Sequence, residues 1–168
     1  MAGSEATDIT VREARPEDLR AAARLAAELV RQHHRYDPER FMRIEPLEEG
    51  YERFLASQVG RDDVVLLVAV LSQDGGDRIV GYLLASLEDR DWSDLREACG
   101  KIHDLYVDES VRGQGAGERL VREAVSRLSA AGAPRVVLMT AWKNGPARLF
   151  FERLGFRPTM LEMTRESE

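Results

Sequence analysis

A chain of 168 residues, 43% hydrophobic and 32% charged, has the length and makeup of one folded domain with a sizeable core. Its net charge of −6 argues against non-specific nucleic-acid binding, which needs a basic surface, and mildly favours cationic partners. The single cysteine, Cys99, rules out an intramolecular disulfide and suits a reducing compartment. The polar start, Met1–Asp8, does not look like a signal peptide and no run is long and apolar enough to span a bilayer, so a cytoplasmic protein without a membrane partner is expected.

Residues 1–7 are expected to be flexible and residues 8–168 to form one domain. Ile9–Ala14 reads as a short strand. Pro16-Glu17-Asp18-Leu19 then opens a helix with acidic residues in its first turn. Its apolar positions are Leu19, Ala22, Ala23, Ala26, Leu29 and Val30, and it closes near His33-His34. A second helix over Leu47–Val59 carries Leu47, Tyr51, Phe54 and Leu55 on one side. Val64–Leu71 is a continuous apolar run, the mark of a strand buried on both faces. A turn at Gln73–Asp77 returns the chain through a strand at Ile79–Leu87.

The charged segment Glu88–Glu97 is irregular, and Ile102–Val107 follows as a strand. A helix then runs to Ala131 and stops at Gly132, with Pro134 beyond it. Arg135–Thr140 is a strand, a last helix opens near Asn144, and Phe156–Thr164 is expected to be a final strand. The order β1–α1–α2–β2–β3–β4–α3–β5–α4–β6/7 describes one α/β domain around a mixed sheet.

The most informative stretch joins the fourth strand to the third helix: Val107-Asp-Glu-Ser-Val-Arg112-Gly113-Gln114-Gly115-Ala116-Gly117. A strand, a glycine-rich turn and a helix N-terminus together make an anion site, because the backbone approaches closely and free N–H groups favour phosphate. A Walker A loop would need a Gly-Lys-Ser/Thr ending, which is absent. The dinucleotide fingerprint would need glycine at position 118, where Glu118 stands. What remains is an R-x-x-G-x-G run, with a tight glycine turn that binds nothing as the alternative.

That run resembles the acyl-coenzyme A pyrophosphate loop of the GNAT superfamily of N-acetyltransferases. The preceding Ile102-His103-Asp104-Leu105-Tyr106-Val107 is similar to the family's central strand, often I-E-D-L-x-V. Further on, Asn144-Gly-Pro-Ala147-Arg-Leu-Phe150-Phe151-Glu-Arg-Leu-Gly155-Phe156 is similar to its C-terminal N-x-x-A-x-x-L-Y-x-x-x-G-F signature. The resemblance covers roughly residues 8–165.

It implies a mostly antiparallel mixed sheet flanked by helices, with the strands Ile102–Val107 and Arg135–Thr140 splayed apart to admit the acyl chain. Acetyl-coenzyme A is the implied co-substrate, with no metal. Its pantetheine would pair with backbone around Leu105 and Val107, as an added strand does. Its pyrophosphate would sit on Arg112, Gly113, Gln114, Gly115, Ala116 and Gly117. Asn144, Ala147 and Phe151 would lie along the coenzyme, although Asn144 is also a natural helix cap ahead of Pro146.

Acyl transfer from a thioester to an amine needs a neutral amine, a stabilised oxyanion and a departing thiolate. Where the family usually has a tyrosine as acid toward the sulfur, this chain has Phe151, which has no proton to give. Tyr106 is a substitute donor, with packing as its other reading. As the base, His103 and Asp104 compete; strand alternation puts them on opposite faces, so only one is expected to face the cleft. His33 and His34 are expected either to border an acceptor pocket or simply to end a helix, and Trp92 and Trp142 are candidates to line that pocket. The function expected is transfer to a primary amine such as a polyamine, amino sugar or amino acid derivative. The alternatives are a catalytically silent coenzyme A-binding sensor, motivated by Phe151, and a protein lysine acetyltransferase. A homodimer through the final strands is the expected assembly.

Overall fold

The computed structural model describes residues 8–73 and 75–167. The segment 1–7, expected to be flexible, lies outside the described residues, as does Asp74 in the predicted turn. Five strands form one sheet in the order β1-β2-β3-β4-β5. They are β1 (Ile9–Glu13), β2 (Val64–Gln73), β3 (Gly76–Glu88), β4 (Cys99–Val107) and β5 (Val136–Leu138). The helices are α1 (Leu19–Tyr36), α2 (Leu47–Gln58), α3 (Ala116–Ala130) and α4 (Gly145–Arg153). Neighbouring strands run antiparallel except β4 and β5, which are parallel. A parallel pair needs a long crossover, and α3 supplies it.

The alternation of β2 explains the two-sided core. Leu67, Ala69 and Leu71 pack with Ile102 beneath Leu120, Val121, Ala124 and Leu128 of α3. Leu66, Val68 and Val70 face the other way, with Tyr82, Leu84 and Tyr106, beneath Leu19, Ala22, Leu25 and Ala26 of α1 and Leu55 of α2. A strand clad on both faces reads as an unbroken apolar run, as the sequence did. Close approach is needed where α3 crosses β4: a Cβ on Gly100 would fall 2.9 Å from Leu128 Cδ1. No helix among the described residues is long and apolar enough to cross a membrane.

The entrance to α1 is fixed by a buried acid. Asp18 accepts from both terminal nitrogens of Arg12, at 2.6 and 2.9 Å, and from the Arg15 N–H at 2.7 Å. These bonds tie β1 to the one-turn 3₁₀ helix Pro16–Asp18 that leads into α1.

The expected final strand is corrected. Residues 156–167 form no strand, and Met160, Leu161 and Met163 are 84%, 60% and 85% exposed. A strand needs a partner edge, and β5, three residues long, is the outermost strand. Phe156 packs against the core, but Met160, Leu161 and Met163 stay exposed among the described residues.

Burial pushes the Asp18 carboxyl up, but the Arg12 hydrogen bonds and the Arg15 N–H outweigh it and hold it below the usual range. A depressed folded value gives stability present above the unfolded value of about 3.9 and lost as pH falls through the folded one. Asp18→Asn is expected to cost about 1–3 kcal/mol at neutral pH by leaving Arg12 unpaired. The loss should shrink in acid; urea titrations at neutral pH and near pH 3 check both halves.

Candidate functional site

Strand β4 carries the site because its two edges differ. Toward β3 it is paired from Cys99 to Val107. Toward β5 it is paired only at Gly100, Lys101 and Ile102, opposite Val136, Val137 and Leu138. Beyond Ile102 the two strands part, as expected for splayed central strands. The Asp108 N–H donates to Val80 O at 2.8 Å, on the β3 side. Backbone groups alternate in direction along a strand, so Leu105 and Val107 turn their N–H and C=O toward the open side. Val107 O accepts from Arg112 Nε at 3.0 Å, which agrees with that direction.

The glycine loop lies at the end of this open edge. Gly113 and Gly115 have φ of +80° and +85°, a region L side chains rarely occupy. Gly115 is the N-cap of α3 and provides no side-chain cap. The first bond back into the loop is Arg119 N–H to Gly115 O at 3.0 Å. The N–H groups of Ala116, Gly117 and Glu118 therefore have no intrahelical acceptor and are available to an anion. Phe150 of α4 packs 3.4 Å from where a Cβ on Gly117 would sit, so α4 lies over the first turn of α3. Arg112, besides holding Val107 O, stacks 5.2 Å over the Tyr106 ring and approaches Glu109 at 3.3 Å.

Of the α4 residues, Asn144 caps the helix, its side chain accepting from the Ala147 N–H at 3.2 Å. Phe151 packs edge-on between Phe150 and Phe156, with centroids at 5.1 and 5.7 Å. Tyr106 is buried in the α1-side core. Burial pushes its phenol up, opposed by Arg112, so the hydroxyl keeps its proton.

The expectation that His103 and Asp104 face opposite ways is overturned. The β3–β4 register shifts between Leu84, opposite Asp104, and Ala85, opposite Ile102. His103 is thus the extra residue of a β-bulge, and the bulge resets the alternation. Both side chains line one cleft of about 900 Å³ on the α1–α2 face of the sheet.

Asp104 is the more buried of the pair. Burial pushes its carboxyl up, while the Tyr82 hydroxyl, donating at 3.0 Å, opposes that. Tyr51, also on the cleft wall, has its phenol pushed up to about 12 by burial, with the nearby Asp104 charge adding. His103 Nε2 lies 2.7 Å from Ser86 Oγ and 3.3 Å from Glu88 Oε1. Ser86 in turn donates to Glu88 at 2.7 Å and, ahead of His103 and Lys101, holds that carboxyl below its usual range.

The cleft as a whole is acidic in balance, with Asp63, Glu88, Asp89, Asp91 and Asp104 against Arg61, Arg90 and Arg96. Arg61 is bound to Asp63 at 2.7 Å and Arg90 to Glu97 at 2.9 Å, whereas no arginine is hydrogen-bonded to Glu88 or Asp104. Trp92 lines the cleft, while Trp142 lies outside it beneath Arg148. His33 and His34 are each tied to a backbone carbonyl, Leu29 O and Phe41 O, both at 2.9 Å, and do not line the cleft. They end a helix.

Sequence reasoning missed Ser86, Glu88, Tyr51 and Tyr82. The signal for the first two was a polar i, i+2 pair at the end of an apolar strand, but its meaning depends on the register. Among the described residues no three His, Cys, Asp or Glu side chains group as metal ligands.

Comparison with known proteins points the same way. The chain is 38% identical over 60 residues to glucosamine 6-phosphate N-acetyltransferase of Trypanosoma brucei brucei, covering 36% of this chain and 39% of that protein. It is 32% identical over 80 residues to N-alpha-acetyltransferase 30 of Schizosaccharomyces pombe, covering 48% and 51%. The matches thus span about half or less of these curated relatives. Among solved structures, a tetramutant of the BH1408 protein from Bacillus halodurans superposes with a TM-score of 0.78 at 26% identity, over 94% of this chain and 99% of that one. Residues 23–156 match the Acetyltransferase (GNAT) family, and with the splayed β4–β5 pair and the glycine loop at its mouth the chain belongs to it.

Proposed function

We propose that the protein is an N-acetyltransferase that moves the acetyl group of acetyl-coenzyme A to a primary amine of a small molecule, by direct attack in a ternary complex. The observation that carries this reading is that one strand, β4, bounds both halves of the reaction. Its open edge leads to the uncapped N-terminus of α3, and its bulge presents His103 and Asp104 to a cleft on the other side. Pantetheine would pair with the outward backbone of Leu105 and the N–H of Val107, whose carbonyl Arg112 holds, and the pyrophosphate would meet Arg112 and the free N–H groups of Ala116, Gly117 and Glu118.

In the reaction the amine nitrogen adds to the thioester carbonyl carbon, and a backbone N–H on the open edge of β4 stabilises the oxyanion. The C–S bond then breaks, with its electron pair leaving on sulfur. The proton lost by the amine goes to His103 or Asp104. An amine of pKa near 10 is neutral in only about one molecule in a thousand at pH 7, so a base matters. The acidic balance of the cleft suits a cationic acceptor. Cys99, a buried free thiol, supports a cytoplasmic setting. A coenzyme A-binding protein without turnover is the second reading, favoured by Phe151.

Thermal unfolding with acetyl-coenzyme A, coenzyme A and NADH should separate binding from the glycine-turn alternative. A hundredfold excess over Kd is worth about 2.7 kcal/mol, roughly 5–10 °C here, and the shift is expected with both coenzyme forms and not NADH. Gly115→Asp, which places a carboxylate among the free N–H groups, should abolish that shift; an unchanged shift would move the pyrophosphate elsewhere. Release of coenzyme A with a panel of polyamines, amino sugars and amino acid derivatives then tests turnover. Silence across the panel with coenzyme binding intact would favour the second reading. If His103 is the base, His103→Gln should lower kcat about 10²–10⁴-fold with little change in acetyl-coenzyme A affinity.

The tail of the chain supports a homodimer. Met160, Leu161 and Met163 are exposed, as is Met139, 74% exposed next to the end of β5, whose outer edge is unpaired. Light scattering is expected to give twice the 18.9 kDa of one chain, and a single-chain mass would refute the dimer.

A further inference from the structure

We infer that Ser86 and Glu88 are positioning residues that fix His103 in the Nε2–H tautomer, so that Nδ1 is the nitrogen that takes the proton from the amine. This rests on the acetyltransfer reading above, but its first test does not need turnover.

The available protons decide the tautomer. An ionised carboxylate only accepts, and a serine hydroxyl has one proton to give. Glu88 Oε1 lies 2.7 Å from Ser86 Oγ, so the serine proton goes to Glu88. Ser86 Oγ also lies 2.7 Å from His103 Nε2, and with its proton committed it contributes only a lone pair there. Glu88 Oε1, 3.3 Å from the same nitrogen, is a second acceptor. Nε2 thus faces two acceptors and no donor, which requires it to carry hydrogen. In the neutral ring Nδ1 then holds the lone pair, and Nδ1 has no hydrogen-bond partner among the described residues.

The backbone explains why these groups meet. Ser86 and Glu88, two apart on β3, share a face. Ser86 sits opposite Lys101, and the bulge brings His103 onto the same face. When the amine proton reaches Nδ1, the ring becomes an imidazolium whose charge faces Glu88. No atom is left unaccounted for: the N–H bond of the amine breaks, an Nδ1–H bond forms, and Nε2–H stays with Ser86 and Glu88. The carboxylate and the hydroxyl thus set the tautomer, as the carboxylate does in a carboxylate–histidine pair.

The test uses the whole chain labelled with ¹⁵N in its imidazoles, with His103→Gln identifying the resonances. In the free protein His103 is expected as the Nε2–H tautomer, and Ser86→Ala and Glu88→Gln should shift it to a mixture of tautomers. An Nδ1–H tautomer in the unaltered protein, or one that neither substitution moves, overturns the inference whatever the activity. With an accepted amine in hand, Glu88→Gln should lower kcat about tenfold to a hundredfold, part of the roughly 10²–10⁴-fold that a general base contributes, with KM for acetyl-coenzyme A unchanged. A tautomer shift without a fall in kcat would deny the pair its part in the reaction. No turnover with any amine, beside the expected tautomer, would fault the acetyltransfer reading and not the proton count.

Discussion

Strand β4 has to satisfy its backbone on two sides, and the sequence provides a full partner on only one. Toward β3 the ladder is continuous; toward β5 it stops after Ile102, because β5 ends at Leu138. Buried N–H and C=O groups left unpaired cost on the order of 1–3 kcal/mol each, so an open edge persists only where something else satisfies it. Arg112 takes Val107 O. The remaining outward groups near Leu105 face a gap between strands, which is the physical reason an extended amide chain such as pantetheine suits it.

The rest of the molecule keeps that gap from collapsing. Helix α3 is pressed against the sheet where Gly100 admits Leu128, which fixes β4 from below. At the other end Phe150 lies against Gly117, so α4 closes over the first turn of α3. On the opposite face α1 is held at its start by Asp18 and packs on Tyr82 and Tyr106. Tyr82 then donates to Asp104, so the same side chain that fills the core also orients the floor of the cleft. Packing and chemistry meet in one residue.

The order of elements was legible in the sequence because its signals are local. The apolar run Val64–Leu71, the caps around Gly132 and Pro146 and the glycine loop depend on nothing distant. The site was legible only as far as local rules reach. The loop could be named from its spacing, but the common face of His103 and Asp104 could not, because a bulge is a property of two strands in register. Ser86 was hidden for the same reason: it is an ordinary strand serine until Lys101 lies opposite it. The final strand failed in the opposite direction. The apolar residues Phe156, Met160, Leu161 and Met163 suggest a strand in 156–164, but a strand also needs an edge, and among the described residues none pairs with it. His33 and His34 likewise invite a functional reading, but each spends Nδ1 on a backbone carbonyl, Leu29 O and Phe41 O, and neither lines the cleft.

The phenylalanine at position 151 is less damaging to acetyl transfer than it first looks, because the two ends of the reaction differ in what they need. A thiol of pKa about 8.5 leaves as its anion without a proton, whereas an amine of pKa about 10 cannot attack while it keeps one. Once the amine has lost its proton, the tetrahedral intermediate expels the weaker base, and thiolate is far weaker than an amide anion. An acid at sulfur accelerates a step that already runs downhill; a base at nitrogen enables the step before it. The chain's titratable groups are distributed in that proportion. His103, Asp104 and Glu88 gather in one cleft, where the proposed amine would bind, while the ring of Phe151 is spent on packing with Phe150 and Phe156. Phe150, which Phe151 braces, is the residue that meets Gly117 of α3, so the ring at position 151 serves packing where a tyrosine would have offered a proton.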